Sequence, residues 1–261
     1  MADLKPQVYK DPRPAEYFTP FHERARRRGP DWVYEAVRII LTPFTLLFYR
    51  TACIGVDNVP PSGPVILGPN HFSQMDHFFA AVYLRRKVRF MAKSQLFSNR
   101  ILNFIFLHGG VFPVRRGHRD AEAFITAHSV LDSGGCLLMY AEGGRSRSGR
   151  LGEPRPGIGR IALESGVPVV PVAIHGSAKV RGWKRLRFPK VTVQYDEPML
   201  FDRVENPTRE QQAEAAQKIF DRVRAMYVGL EEQGRWAVIK SLRKGLPASS
   251  AADASARAQS H

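Results

Sequence analysis

Residues 64–76 read Pro64-Val65-Ile66-Leu67-Gly68-Pro69-Asn70-His71-Phe72-Ser73-Gln74-Met75-Asp76, and the stretch changes character in its middle. Its first half is a short apolar run bounded by turn-forming residues, the pattern of a buried strand. Its second half is polar and ends on a carboxylate at or near the start of the next helix. His71 therefore sits where a strand emerges into a loop. From there Asp76 can fold back on the imidazole, fix its tautomer and raise its basicity, which is what a general base acting on a hydroxyl needs. A hydroxyl that stays protonated at neutral pH does not attack an acyl carbon unaided. Taken alone, a His and an Asp at this spacing also arise by chance in structural loops.

Outward from this stretch, short apolar runs alternate with helical patterns. Pro64 to Gly68, Val88 to Ala92, Gly110 to Val114, Cys136 to Ala141, Val169 to Ile174 and Val191 to Tyr195 read as strands. Met75 to Leu84, Arg119 to Leu131 and Thr208 to Leu230 carry helical spacing, the last through Ala213, Ala216, Phe220, Val223, Tyr227 and Leu230. Strand and helix in alternation predict a single α/β domain with a mixed, largely parallel sheet flanked by helices. An apolar N-terminal helical segment, a candidate membrane anchor, precedes it. The expected boundaries are a flexible basic segment over 1–30, the apolar segment over 31–50, the folded domain over 51–245 and a disordered Ala/Ser-rich tail over 246–261. Prolines at 6, 12, 14, 20 and 30 argue against any continuous helix in the first segment.

Thirty-nine Lys and Arg against 24 Asp and Glu give a formal net charge of +15, which attracts polyanions such as nucleic acid or an anionic membrane. Two cysteines, Cys53 and Cys136, match no metal or redox spacing and read as reduced core thiols. The first thirty residues show no signal-peptide pattern. Trp32 to Tyr49 is almost wholly apolar apart from Glu35 and Arg38, is interrupted by Pro43, and follows a cluster at Arg24, Arg26, Arg27 and Arg28. Slightly short for a span, it reads as an in-plane anchor. A helix packed on the domain accounts for the same residues equally well.

Three further stretches carry chemistry. Gly109 to Gly117 (GGVFPVRRG) is a strand ending in Arg115 and Arg116, and guanidinium groups at a strand end can grip phosphate; a solvated basic turn looks the same. Tyr140 to Gly149 (YAEGGRSRSG) opens the backbone with glycines beside Glu142, Arg145 and Arg147, either a loop that receives an oxyanion or a plain surface loop. Val167 to Ile174 (VPVVPVAI) is an apolar strand that packs in the core or lines an acyl chain.

The order of these four stretches resembles the glycerolipid acyltransferase family typified by 1-acylglycerol-3-phosphate acyltransferases. The resemblance runs over roughly residues 50 to 200 through Asn70, His71 and Asp76; Gly110, Phe112 and Arg116; Glu142, Gly143, Arg145 and Ser146; and Val167, Pro168 and Pro171. Tyr140, Ala141 and Gly144 depart from the family's usual Phe, Pro and Thr, and Arg115 stands where many members carry Asp. The resemblance implies an acyltransferase in which His71 deprotonates the acceptor hydroxyl while Asp76 holds the ring. It implies phosphate binding by Arg116 and Arg145 with Arg115 auxiliary, orientation by Glu142, and a close approach of the loop at Gly143. The acyl donor would be acyl-CoA or acyl carrier protein, the acceptor 1-acylglycerol 3-phosphate or else another lysophospholipid or a glycolipid, and no metal or cofactor would be required. The expected location is peripheral or monotopic, on the anionic cytoplasmic face of the cell membrane. Nucleic acid is not an expected partner, because the aromatic residues gather in apolar runs such as Trp32 to Tyr49 and Phe97 to Phe106 rather than among the basic ones.

Overall fold

The computed structural model describes residues 10–117, 120–180 and 188–243. Seven strands among them form one sheet: β1 (Ala52–Ile54), β2 (Val65–Pro69), β3 (Val88–Lys93), β4 (Val111–Val114), β5 (Cys136–Leu138), β6 (Val169–His175) and β7 (Thr192–Tyr195), in the order β1-β7-β6-β2-β5-β3-β4. Every neighbouring pair is parallel except β6 and β7, which makes the sheet mixed and largely parallel.

The central strand β2 is buried at every residue. Alternate side chains of a strand point to opposite faces, so Ile66 joins a core with Phe112, Leu137, Val169 and Ala173, whereas Val65 and Leu67 join one with Val88, Leu138, Val170 and Val172. Both faces are covered, which is why these strands read as continuous apolar runs. The first face is closed by α1 (Thr19–Arg27), α5 (Ala121–Asp132), α6 (Pro156–Ser165) and α7 (Arg209–Arg243). Gly159 lets α6 and α7 touch: a Cβ there would stand 2.0 Å from the carbonyl oxygen of Gln212. The other face is covered by α2 (Trp32–Tyr49) and α3 (Asp76–Phe79) with the turns that follow it.

Several expected boundaries move. The N-terminal segment is not a flexible lead-in between residues 10 and 30. Pro20 falls in the first turn of α1, where its missing N–H costs nothing, and Phe18, His22 and Ala25 are buried. Arg13 ties the same segment to the domain by donating to the carbonyl oxygens of Phe97 and Ser94, each at 2.7 Å. The folded unit therefore begins well before residue 51. The helix expected over 75–84 holds only as Asp76–Phe79; Ala80, Ala81, Val82 and Leu84 are still buried, but on turns. The strand expected over 136–141 stops at Leu138, which releases Tyr140 and Ala141 into a loop. The C-terminal helix continues past Leu230 to Arg243, with a break at Gly234 (φ 74°, ψ 159°). Residues 1–9, Arg119 and the tail expected over 246–261 lie outside the described residues.

α2 presents two stripes. Tyr34, Thr45 and Tyr49 turn inward: the Tyr34 hydroxyl accepts from the Val88 amide at 3.1 Å, and Thr45 Oγ1 bonds the Tyr83 hydroxyl at 2.7 Å. Trp32, Ile39, Ile40, Leu46 and Leu47 turn outward and are exposed, Leu47 by 74%. The helix is long and apolar enough to cross a membrane by length and composition, and only 22% of it is buried. The helix thus packs on the domain by one stripe, as one of the two readings from sequence has it, and leaves the other stripe exposed for the anchor role of the second reading.

Candidate active site

Parallel strands deliver their C-terminal ends to one edge of the sheet, where open α/β folds form their crevices. Here β2 ends two residues before His71, β3 at Lys93, β4 just before Arg116, and β5 just before Tyr140 and the loop carrying Arg145 and Arg147. All six side chains line one cavity of about 140 Å³. Arg116 and Arg145, 29 positions apart in sequence, thus meet around a common space.

The His71 ring stands with Nδ1 2.9 Å from Asp76 Oδ2. Asp76 is fully buried, and the same oxygen accepts from the amides of Phe72 at 2.6 Å and Ser73 at 2.7 Å. A carboxylate oxygen so surrounded only accepts, so Nδ1 carries the proton and Nε2 is left as the basic nitrogen. Burial pushes the His71 pKa below its ordinary value, opposed by the hydrogen bond and charge of Asp76 and reinforced by the charges of Arg145 and Arg116. The imidazole is therefore neutral at neutral pH and able to take a proton. Its face is held as well: the Tyr140 ring stacks on it with centroids 3.7 Å apart.

The loop after β5 is tied to the strand-end histidine through the backbone, because the Ser146 amide donates to the His71 carbonyl oxygen at 2.8 Å. Gly143 turns the chain with φ 64°, and its amide donates to the Tyr140 carbonyl oxygen at 2.9 Å. Gly144, where the family pattern has Thr, lies under the Arg116 guanidinium: a Cβ there would come 3.0 Å from Nη1. Asn70, next to His71, clamps β2 to β6, its amide nitrogen donating to the Ile174 carbonyl oxygen at 3.1 Å while its oxygen accepts from the Ile174 amide at 2.7 Å.

Besides Asp76, which stands behind His71, three sequence candidates do not line the cavity: Gly143, which turns the loop, Arg115 and Glu142. The Arg115 guanidinium donates to the Arg13 carbonyl oxygen at 3.1 Å, and its amide donates to Asp120, so it braces the N-terminal segment instead of facing the space that Arg116 faces. Glu142 is buried behind the loop, where Oε1 accepts from the Gly152 amide at 3.3 Å, and burial pushes its carboxyl up to about 7. Arg147, one of the arginines of the candidate oxyanion loop, lines the cavity, whereas Lys93, His77 and the stacking role of Tyr140 carry no site expectation from sequence. For Lys93 the available signal was a basic residue closing a strand that runs parallel to the His71 strand. His77 is neutral, burial pushing its pKa down to about 4. Among the described residues no cluster of His, Cys, Asp and Glu is arranged to hold a metal ion.

Residues 50–175 match the family model described as Acyltransferase. A chloroplastic 1-acyl-sn-glycerol-3-phosphate acyltransferase of Brassica napus is 29% identical over 136 residues, 51% of this chain and 39% of that protein. A probable 1-acyl-sn-glycerol-3-phosphate acyltransferase of Mycoplasma genitalium is 30% identical over 160 residues, 58% of this chain and 60% of that protein. The chain thus spans less than two thirds of the length of either relative. The crystal structure of the 1-acyl-sn-glycerophosphate acyltransferase of Thermotoga maritima superposes with a TM-score of 0.59 at 23% identity, covering 84% of this chain and 81% of that one. That likeness is one of fold.

Proposed function

We propose, from the match of residues 50–175 to the acyltransferase family model, that this protein transfers a fatty acyl group from a thioester to the free hydroxyl of 1-acylglycerol 3-phosphate, forming phosphatidic acid. The observation that supports the reading most is the His71–Asp76 pair at the wall of a cavity also lined by Arg116 and Arg145. A base, a buried carboxylate behind it and a cluster of cations in front of it suit one substrate class: a hydroxyl that carries a phosphate nearby.

In this reaction His71 Nε2 takes the proton of the acceptor hydroxyl as its oxygen attacks the thioester carbonyl. The imidazolium that forms is held by Asp76. The tetrahedral intermediate then collapses, the C–S bond breaks, and the departing sulfur takes the proton back from His71, so the enzyme returns to its starting state. Arg116 and Arg145 hold the acceptor phosphate, with Lys93 and Arg147 contributing charge from the same walls. Glu142 acts from behind, supporting the loop. The donor is acyl-CoA or acyl carrier protein, and the step as written needs no metal or bound cofactor.

The protein works at a membrane surface, the anionic cytoplasmic face, with α2 lying on the domain and its outer stripe of Trp32, Ile39, Ile40 and Leu47 toward lipid. Both substrate tails are hydrophobic, and drawing one into water costs about 0.8 kcal/mol per methylene. The test is thioester release from acyl-CoA and from acyl carrier protein, measured with purified protein and phospholipid vesicles across lysophosphatidate, other lysophospholipids and glycerol 3-phosphate. Release that depends on lysophosphatidate supports the reading; release indifferent to any acceptor contradicts it.

A further inference from the structure

The helix α4 (Arg100–His108) has the sequence RILNFIFLH, six large apolar residues in nine, yet none of the nine is buried. Ile101 is exposed by 72%, Phe104 by 47%, and Leu102 and Ile105 are exposed beside them. The helix is well formed, since the Asn99 side chain caps it by accepting from the amides of Ile101 and Leu102 at 2.9 and 3.3 Å. A folded chain in water gains nothing from presenting such a face, and contiguous apolar patches of this kind mark contact surfaces.

The opposite side of α4 belongs to the site. Phe106 lines the cavity and packs on the buried Phe97 with ring centroids 5.2 Å apart, while Leu96 before the helix and Val111 after it line the same cavity. α4 is thus a one-helix wall between the space in front of His71 and the outside. Its C-terminal end meets α2, because the Asp31 amide donates to the His108 carbonyl oxygen at 3.0 Å, so the two helices with exposed apolar faces are joined at a corner. Cations stand at both ends of α4: Arg100 is exposed in its first turn, Arg24 Nη2 lies 3.0 Å from His108 Nδ1 at its last, and α1, which contacts α4, ends in the exposed Arg27, paired with Glu23 at 4.0 Å, and Arg28. The nearby carboxylate of Asp31 is already paired with Arg24 and His108. An apolar face with cations at both ends suits an anionic lipid surface.

We propose that α4 is a second membrane-contacting element, which seats Ile101, Phe104 and Ile105 in an anionic bilayer and so places the wall of the reaction cavity at the lipid surface from which the acceptor enters. The entry route rests on the reading of the cavity as a lipid acyl-transfer site; the membrane contact does not.

The test compares the full-length protein with the variant Ile101→Gln/Phe104→Gln/Ile105→Gln. Partition onto vesicles of phosphatidylcholine and phosphatidylglycerol in equal parts is measured by sedimentation. Transfer is measured with a long-chain lysophosphatidate in those vesicles and with a short-chain, water-soluble one. The expected result is a fall of at least about tenfold in partition and in transfer to the vesicle-borne acceptor, with transfer to the soluble acceptor unchanged. Unchanged partition would overturn the proposal, and so would an equal loss on both acceptors, which would make α4 merely structural. A parent protein that dimerises without lipid and a variant that does not would also overturn it, assigning the face to a second copy. If the parent transfers acyl groups to neither acceptor, the acyl-transfer reading fails, while the sedimentation arm still decides the membrane contact.

Discussion

The ring of Tyr140 lies 3.7 Å from that of His71, with the two planes 12° apart. His71 is therefore constrained from two directions, by Asp76 along its edge and by Tyr140 across its face. An aromatic pair of this kind contributes about 0.5–1.5 kcal/mol beyond area burial, which is up to about tenfold in the population of the aligned ring. Tyr140→Phe keeps the stack and is expected to retain turnover. Tyr140→Ala is expected to lower kcat by up to about tenfold with little change in the acceptor KM. Equal losses in the two variants would show that the hydroxyl, not the ring, is what matters.

A pH profile reads the same histidine. As a base His71 must be unprotonated, so kcat/KM rises with pH up to its pKa and levels above it. Burial holds that midpoint below the ordinary imidazole value. Asp76 raises the pKa, and Arg116 and Arg145 lower it. Asp76→Asn should accordingly move the acid limb to lower pH and Arg145→Ala to higher pH. Shifts in the opposite directions would mean that another group limits the profile.

Phosphate recognition is tested through the two arginines that the strand ends bring together. Arg116→Ala and Arg145→Ala are each expected to raise the acceptor KM at least about tenfold, since a hydrogen bond to a charged group is worth roughly 1.5–3 kcal/mol, and to leave the donor KM nearly constant. Arg115→Ala, whose guanidinium is committed to the Arg13 carbonyl, is expected to change neither constant. Matched increases for donor and acceptor would reassign the arginines to the phosphates of the donor.

The outer stripe of α2 is expected to supply salt-resistant membrane binding. Sedimentation of the parent protein with anionic vesicles should fall partly as salt rises, because the cationic contribution is screened, and then level off. Ile39→Gln/Ile40→Gln/Leu47→Gln should lower the remainder to the part that α4 supplies, without unfolding the protein, these side chains being exposed. A parent protein that stays in solution with anionic vesicles at low salt would refute the membrane reading.

What could be read from sequence follows the distance over which each interaction acts. The His71–Asp76 pair spans five residues, and the apolar run before it defines its strand, so both the pair and its position at a strand end were legible. Strand order was not, because it depends on which runs pair across the sheet; the convergence of Arg116 and Arg145 was expected from the family resemblance, and that of Lys93 was missed. Arg115 and Arg116 are neighbours with equal chemistry, and only the path of the N-terminal segment through Arg13 separates them. That segment was itself misjudged: its prolines suggested no helix, but Pro20 stands where a helix tolerates proline, and the burial of Phe18 and His22 is a long-range fact.

The central claim is that His71 Nε2, set by Asp76, takes the proton of the acceptor. Single-turnover transfer from acyl-CoA to lysophosphatidate in vesicles, measured for the parent, His71→Ala and Asp76→Asn with folding checked by circular dichroism, tests it most directly. A folded His71→Ala protein slowed about 10²- to 10⁴-fold, with Asp76→Asn slowed severely beside it, is the predicted result. A folded His71→Ala protein that transfers at close to the parental rate would contradict the account.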